Sequence, residues 1–341
     1  MNQEVGSNTI LYVGVDVHER ESQLAIFDPS GALLQEKRLR TANLGTFIDS
    51  LPGKEKHIAI ESVGFIYPVY DKLRSIANCK VAVANPNSVN LIARSKLKHD
   101  RADAKVLGEL LRTNYLPMSY LPEEETREQR YLVNDRVKYG LRRSHLRGTI
   151  RWLLKRRGIA EGKKMFSIEG RKRLRSLSLR ELDIRLDELS LVESIVDRLD
   201  EEIAQTVAMD ANAKLLDTIP GVAPYTALFL SSHIGDVNRF PDSKHMCGDL
   251  GLSPSLHQTG DLLITGHITK TGNKWLRRNM IECARAAITK DRHLREFYLK
   301  LRHKRGEKKA LIAVARKMVS YAFWMLKRNL TYEEPNPWES T

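Results

Sequence analysis

The sequence predicts an α/β fold joined to all-α segments, and three features of the 341 residues lead to this prediction. Short strand-like runs fill the first third and alternate in part with helices. The middle third has few strand signals and many charges at helical spacing. The last third is again mostly helical, apart from a Gly-rich stretch. We therefore expect three parts, 1–122, 123–212 and 213–341.

The first part is predicted to form a mixed sheet. Its strand-like runs are 11–17, 22–27, 33–39, 57–61 and 80–84. Predicted helices cover 44–51 and 66–76, and a further helix leads towards residue 100. A hairpin meander is thus followed by strand–helix units, in the order β-β-β-α-β-α-β-α. This order is typical of a sheet with both antiparallel and parallel strands.

Acidic residues end two of these strands and open the helix after the sheet. Asp16 ends the first strand and Glu61 the fourth, at positions where α/β sheets bind ligands. Asp100 and Asp103 stand at i and i+3, on one face of a helix. Singly, each acid is explained as a turn, helix-start or exposed helix residue. Together, the four carboxylates predict a site for Mg²⁺ or Mn²⁺, because hard cations take oxygen ligands.

The charge balance predicts a polyanionic partner. Lys and Arg number 56 against 42 Asp and Glu, which gives a net charge of +14. No lipidation or anchor signal accompanies this excess, so we expect nucleic acid and exclude a membrane. We find no signal peptide and no apolar run near the ~18 residues of a membrane span. The three cysteines form no CxxC pair, which excludes a zinc site and indicates a cytoplasmic protein.

The middle part is predicted to be helical. Arg147 and Arg151 lie in an Arg-rich helix, and we expect them to face nucleic-acid phosphates. A basic linker is expected at 171–175. Apolar residues then recur at heptad spacing, which predicts a helical hairpin or a coiled coil, within one chain or between chains. They are Leu182, Leu189, Val196 and Ile203.

The last part contains two candidate phosphate-binding segments. Residues 215–227 resemble a helix-hairpin-helix, in which Gly221 forms the turn and the second helix binds phosphate at its amino end. A plain helical packing unit is the alternative. Basic residues also cluster around a Gly-rich loop and favour phosphate binding. They are Lys270, Lys274, Arg277 and Arg278. Helices are expected at 274–289 and 308–327, with a linker at 292–306.

These motifs together resemble a known family. The segments 14–18, 60–64 and 98–105 look like the D, E, D, D signature of an RNase H-like, RuvC-type nuclease domain. The segments 250–261 and 266–278 resemble a transposase-domain motif with a G-L-x-P turn and a Gly-x-Ile-[ST]-Lys-x-Gly run. The chain thus resembles the insertion-sequence one-ten family of DEDD transposases, which includes the Piv DNA invertases and bridge-RNA-guided recombinases. The resemblance covers most of the chain apart from the middle.

The resemblance implies a prokaryotic, nucleoid-associated recombinase that cleaves and exchanges DNA strands with Mg²⁺ or Mn²⁺. It implies a guide (bridge) RNA, a coiled coil, a homo-oligomer such as a dimer or tetramer, and a composite active site. In the family, the serine of a Ser-Gly pair joins covalently to DNA, and this chain has Thr259 at the matching place. Threonine keeps the hydroxyl, but its methyl group restricts χ1. Thr259 as nucleophile, Ser255 or Ser253 in its place, and an impaired enzyme all stay open.

Two other function classes fit the same residues. In a metal-dependent junction nuclease, water attacks the phosphodiester and Thr259 is structural. In a non-catalytic nucleic-acid-binding protein, the metal site has decayed, and replacing Asp16 or Asp103 leaves DNA processing unchanged. Substitution of the nucleophile and of the carboxylates separates these classes from the recombinase.

Overall fold

Two units make up the chain, and their boundary lies between Leu121 and Pro122. A computed structural model describes residues 9–93, 100–160, 162, 164–259 and 262–332. The predicted parts 123–212 and 213–341 both fall in the second unit. No helix among the described residues is long and apolar enough to cross a membrane.

The first unit is built on a five-stranded mixed sheet, as predicted. Its strands are β1 (Ile10–Val17), β2 (Glu21–Phe27), β3 (Leu33–Arg40), β4 (Glu55–Glu61) and β5 (Cys79–Ala84). The spatial order is β3-β2-β1-β4-β5; β2 is antiparallel to both its neighbours, and β1, β4 and β5 are parallel. The helices are α1 (Leu44–Ser50), α2 (Ile66–Arg74), α3 (Pro86–Ala93) and α4 (Asp100–Arg112). This arrangement is consistent with the RNase H-like fold that the resemblance implies.

Helix α4 packs directly on the central strand β1. A Cβ atom at Gly14 would overlap the carbonyl oxygen of Ala104 and the amide nitrogen of Gly108. Only glycine therefore allows the helix to approach the strand this closely. The position of α4, which carries two of the four candidate acids, depends on this contact.

The second unit begins with a helical hairpin, formed by α5 (Glu124–Arg156) and α7 (Arg180–Met209). The four heptad residues of α7 are fully buried. Leu182 and Leu189 share one apolar cluster with Leu146 and Ile150 of α5. The heptad residues that predicted a coiled coil therefore pack against residues of the same chain.

The predicted linker at 171–175 is wrong, because this segment belongs to helix α6 (Ile168–Arg175). Ser167 caps the helix, and its Oγ accepts a hydrogen bond from the Gly170 amide at 3.2 Å. Leu174 is buried in the hairpin core. The cap and the buried Leu174 both favour a helix here, and Arg171 and Arg175 form ion pairs with Glu193 and Asp187 of α7.

The rest of the second unit is mostly helical. Its helices are α8 (Ala211–Asp217), α9 (Pro224–Ile234), α10 (Ser243–Asp249), α11 (Lys274–Lys290), α12 (Arg292–Arg305) and α13 (Glu307–Arg328). Strands β6 (Pro254–Thr259) and β7 (Leu262–Ile268) form an antiparallel pair that the sequence did not predict. The predicted linker at 292–306 is also wrong, because α12 fills it. Asp291 caps α12 by accepting a hydrogen bond from the Leu294 amide at 2.6 Å, and Leu294 and Tyr298 are buried.

Candidate active site

Asp16 and Glu61 lie side by side at one edge of the sheet. Strands β1 and β4 are parallel neighbours, and Val15 pairs with Ile60 in their register. The next residue on each strand is the acid, so both carboxylates stand at the carboxyl end of the sheet. Asp16 is only 6% exposed, whereas Glu61 is half-buried. The strand register thus brings the backbones of these two residues to the same end of the sheet.

The amino end of α4 points towards the same edge. Ala104 lies against Gly14, whereas Gly108 lies against the ring of Phe27. Phe27 pairs with Tyr12, which is earlier on β1 than Gly14. Helix α4 therefore runs antiparallel to β1, and Asp103 lies towards the end of β1 that carries Asp16. The side chain of Asp100 lies outside the described residues.

The chemical type of these side chains suits a divalent cation. All four candidate ligands are carboxylates, the donor type that Mg²⁺ and Mn²⁺ prefer. Within the described part of the chain, no group of three or more His, Cys, Asp or Glu side chains is placed to hold a metal ion. This statement does not cover Asp100, because its side chain lies outside the described residues. The role of the four acids as metal ligands therefore stays a prediction.

His18 is a further polar residue at this edge, and the sequence reasoning did not single it out. Its Nε2 lies 3.2 Å from Oδ2 of Asp16, and its side chain is 55% exposed. The only sequence signal for it is its position two residues after the acid. An imidazole so placed orients the Asp16 carboxylate and offers a second polar group to a ligand.

An open cleft of about 860 Å³ adjoins His18. Arg38 forms an ion pair with Glu21 at 2.8 Å. Both Arg20 and Arg40 are exposed and form no ion pair with a carboxylate of the described residues. Three guanidinium groups beside the candidate catalytic edge give this surface the chemistry to bind phosphates. The cleft is lined by His18, Glu19, Arg20, Glu21, Arg38, Arg40 and Ala42.

In the second unit, two glycines bring the turn before β6 against the loop before α11. A Cβ atom at Gly251 would overlap the carbonyl oxygen of Thr271, and one at Gly272 would overlap that of Asp249. Both glycines also have positive φ, at +65° and +69°. The Gly-rich motif therefore acts as a close backbone contact between two segments that are distant in sequence.

The four predicted phosphate ligands of this loop differ in their surroundings. Arg277 donates a hydrogen bond from Nη1 to the carbonyl oxygen of Thr271 at 2.7 Å, so it supports the loop itself. Lys270, Lys274 and Arg278 are exposed and available to a ligand. Lys270 also adopts a positive φ of 58°, which is unusual for a residue with a side chain.

Asp249 anchors this region, and the sequence reasoning missed it. Its Oδ2 accepts hydrogen bonds from Nε2 of His233 at 3.0 Å and Nη2 of Arg239 at 3.1 Å. Burial alone would raise the pKa of Asp249, but the hydrogen bonds and charges of these two residues outweigh it and hold the pKa below its usual value. No sequence spacing indicates this cluster, because its members come from three separate segments.

The three candidate nucleophiles all belong to one short segment. Ser253 directly precedes β6, and its carbonyl oxygen accepts a hydrogen bond from the Thr269 amide at 2.9 Å. Ser255 lies on β6 beside Gly266. Thr259 is the last residue of β6, and its backbone pairs with Leu262. The side chain of Thr259 lies outside the described residues.

The remaining predicted nucleic-acid ligands also have roles within the fold. Arg147 donates a hydrogen bond to Oε1 of Glu193 at 2.7 Å, whereas Arg151 is exposed. Gly221 has φ +85°, and a Cβ atom there would lie 2.6 Å from both the Ala287 amide nitrogen and the Cys283 carbonyl oxygen. Gly221 is thus required for packing on α11. Whether these residues contact nucleic acid stays a prediction.

Comparisons with known proteins agree with the motifs. Residues 13–157 match a family model described as a transposase, and residues 213–299 match the "Transposase IS116/IS110/IS902 family" model. The transposase for insertion sequence element IS1111A of Coxiella burnetii is 26% identical over 95% of this chain and 91% of its own length. The insertion element IS110 43.6 kDa protein of Streptomyces coelicolor is 26% identical over 96% of each chain. The pilin gene-inverting protein of Moraxella bovis is 25% identical over 82% of each.

Proposed function

Because the chain belongs to the IS110 family of transposases, we propose that it exchanges DNA strands through a covalent link between Thr259 and a DNA end. The observation that carries this proposal is the shared edge of Asp16 and Glu61 in the β1–β4 register, towards which α4 carries Asp103. The amino end of α4 is directed to the end of the two strands that carries Asp16 and Glu61, and neither Glu61 nor Asp103 forms an ion pair with a described residue.

Asp16, Glu61, Asp100 and Asp103 would hold Mg²⁺ or Mn²⁺, which when bound withdraws charge from the scissile phosphate and stabilises the leaving oxygen. The protein contributes the fixed positions of these oxygens. Gly14 seats α4 on β1, and burial of Asp16 limits its rotamers. The cleft beside His18 would direct the DNA backbone to this edge through its guanidinium groups.

In the first chemical step, the Thr259 hydroxyl oxygen forms a bond to phosphorus, and the bond from phosphorus to a deoxyribose oxygen breaks. The hydroxyl proton passes to water, and the departing deoxyribose oxygen takes up a proton. In the second step, a hydroxyl of another DNA end attacks the same phosphorus and releases Thr259. One phosphodiester is exchanged for another, so the reaction needs no external energy source. Ser255 or Ser253 can carry out the same chemistry in place of Thr259.

The proposal is tested with labelled element-end DNA, Mg²⁺ and the full chain, by following DNA retained on denatured protein. We expect retention with the natural chain and with Thr259→Ser, and none with Thr259→Ala or Asp16→Asn. Ser255→Ala and Ser253→Ala serve as matched controls and should retain the label. Cleavage by Thr259→Ala without retained DNA would indicate a nuclease that uses water. Unchanged processing by Asp16→Asn would contradict the role of the carboxylates.

We also propose a structured guide RNA as a partner, on the basis of the family resemblance and the net charge of +14. The test is purification of the protein with its nucleic acid, followed by RNase treatment and the strand-exchange assay. Loss of exchange that is restored by the co-purified RNA supports the proposal. Full activity after complete RNA removal contradicts it.

A homo-oligomer, a dimer or tetramer, is proposed from the outer face of α7. Ile184 and Leu191 stand one heptad apart there and are 51% and 60% exposed. We expect Ile184→Glu with Leu191→Glu to lower the molar mass measured by light scattering. Met209→Glu, a change at an 87% exposed residue on the same helix, is the control. An unchanged mass in the double variant would contradict this interface.

A further inference from the structure

The positive charge of the chain is concentrated near its carboxyl end. Residues 270–328 contain 18 Lys and Arg but only 4 Asp and Glu. The other 282 residues contain 38 of each kind and are neutral. The whole excess of +14 therefore lies in the segment that contains α11, α12 and α13.

Within this segment, six exposed cations surround the bend between α12 and α13. Glu307 is the one acid between residues 300 and 309, and Arg285 lies 3.6 Å from it. None of the six cations forms an ion pair with a carboxylate of the described residues. Gly306 makes the bend, with φ +79°. We call this surface the basic corner: Lys300, Arg302, Lys304, Arg305, Lys308 and Lys309.

Helix electrostatics explain only half of the basic corner. Cations at the carboxyl end of α12 interact favourably with the helix dipole, which accounts for Arg302, Lys304 and Arg305. Lys308 and Lys309 lie in the first turn of α13, at the positive end of that helix, where acids are favoured. They also add to the repulsion from the α12 cations. Folding does not favour this arrangement, whereas a polyanionic partner does.

Among the residues that the structure describes, no exposed aromatic ring accompanies the cations of the basic corner, and this distinguishes between kinds of nucleic acid. Surfaces for single strands combine cations with aromatic rings on which bases stack. Here Tyr298 is buried and Phe297 packs against the apolar core, so neither described ring offers a stacking platform. Cations without such rings fit the backbone of a duplex, which is bound through its phosphates alone.

We propose that the basic corner binds the phosphate backbone of duplex DNA, independently of sequence, outside the site of strand exchange. Duplex DNA is the occupant because the family acts on DNA. The corner begins at Lys300, directly after the matched family region 213–299, so this surface lies beyond that motif. The inference rests on the proposed function only in that DNA is the substrate.

The test measures binding of the full chain to a duplex without element ends, in the absence of Mg²⁺, over a range of salt concentrations. The variant carries Lys304→Gln, Arg305→Gln, Lys308→Gln and Lys309→Gln. We expect its affinity to fall at least ~10-fold, and the slope of log affinity against log salt to become less steep by about 3 to 4, because each phosphate contact contributes ~0.9. Its thermal unfolding should be unchanged, since all four side chains are exposed.

The control variant removes the same charge elsewhere, with Lys54→Gln, Lys155→Gln, Arg173→Gln and Lys244→Gln, all exposed residues. It should retain the natural slope to within ~1. Equal losses in both variants would show an effect of net charge alone and overturn the proposal. Loss of binding to an RNA duplex with DNA binding retained would overturn it as well. Because no cleavage is required, failure of the Thr259 mechanism leaves this result unaffected.

Discussion

Carboxylates play different parts in the helical hairpin and at the sheet edge. In the hairpin, Asp200 accepts two hydrogen bonds from Arg136, at 2.6 and 2.9 Å, and Glu193 is paired with both Arg147 and Arg171. At the sheet edge, neither Glu61 nor Asp103 forms an ion pair with any described residue. Acids whose charge is balanced by neighbours stabilise the fold, whereas acids without such partners are available to a ligand.

The cations of the hairpin region and of the basic corner also differ in whether acids are paired with them. Five of the eleven arginines of α5 and α6 form ion pairs with acids of α7, although the sequence of this region looks like a nucleic-acid-binding helix. Those of the basic corner have no such acids. The comparison shows that basic composition alone does not locate a binding surface, and that the pairing of each charge has to be known.

The largest expected effect is a loss of activity when acids at the sheet edge are replaced, but not when an acid of the hairpin is replaced. Glu61→Gln and Asp103→Asn should each lower formation of the covalent adduct on the order of 1,000-fold, since they remove proposed metal ligands. Their free energies of unfolding should not fall, because neither carboxylate forms an ion pair with a described residue. Glu193→Gln is the matched change in the hairpin and should retain the activity. Single-turnover cleavage and urea unfolding measure both quantities.

A core substitution in the hairpin should instead lower the stability of the protein. Leu189→Ala removes a fully buried side chain from the α5–α7 core and should lower the free energy of unfolding by about 2–5 kcal/mol. Met209→Ala, at an 87% exposed position of the same helix, should change it by less than ~0.5 kcal/mol. Denaturant unfolding of both variants provides the measurement. Similar values for the two would mean that the heptad seam is not packed within one chain.

Gly14→Ala should disturb the sheet edge without altering any carboxylate. Its Cβ would overlap the backbone of α4, so the helix must move and carry Asp103 with it. We expect a loss of about 1–3 kcal/mol in stability together with loss of cleavage. Gly64→Ala is the control, because nothing lies within 4 Å of a Cβ atom there. Full activity of Gly14→Ala would show that the placement of α4 is unimportant for the chemistry.

The smallest effect concerns the pH dependence of the hairpin. Burial would raise the pKa of Glu193, but Arg171 and Arg147 outweigh this and hold it below its usual value. A carboxyl group whose pKa is lowered on folding contributes stability above its unfolded pKa of about 4.3, and this contribution is lost as the pH falls through the lower folded value. Urea unfolding between pH 6 and 3 should therefore show a shallower decline for Glu193→Gln. An identical decline would mean that the two arginines do not stabilise the charged form.

Much of the first unit was predictable, because most of its strands contain an apolar run and end at turns or acids. The register that places Asp16 beside Glu61 follows from the parallel pairing of two such strands. Less predictable were β6, whose residues are mostly small or polar, and β7, whose apolar residues do not alternate with polar ones. The hydrogen bonds of Asp249 with His233 and Arg239 could not be predicted either, because they depend on tertiary packing.

Helix α12 was missed although a signal for it exists. Leu294, Phe297, Tyr298 and Leu301 follow the i, i+3, i+4, i+7 pattern, and Asp291 is a suitable cap. The dense charges around these residues made the segment resemble a solvated linker. The pairing of Arg147 with Glu193 could not be inferred either, because the two residues lie 46 positions apart.

The most direct test of the proposed mechanism is mass spectrometry of the peptide that remains joined to DNA after reaction with element ends and Mg²⁺. We expect a single modified peptide that contains Thr259, with a nucleotide on its hydroxyl oxygen, and no such peptide from Asp16→Asn. DNA joined to a residue outside 253–259, or cleavage with no joined peptide at all, would contradict the mechanism.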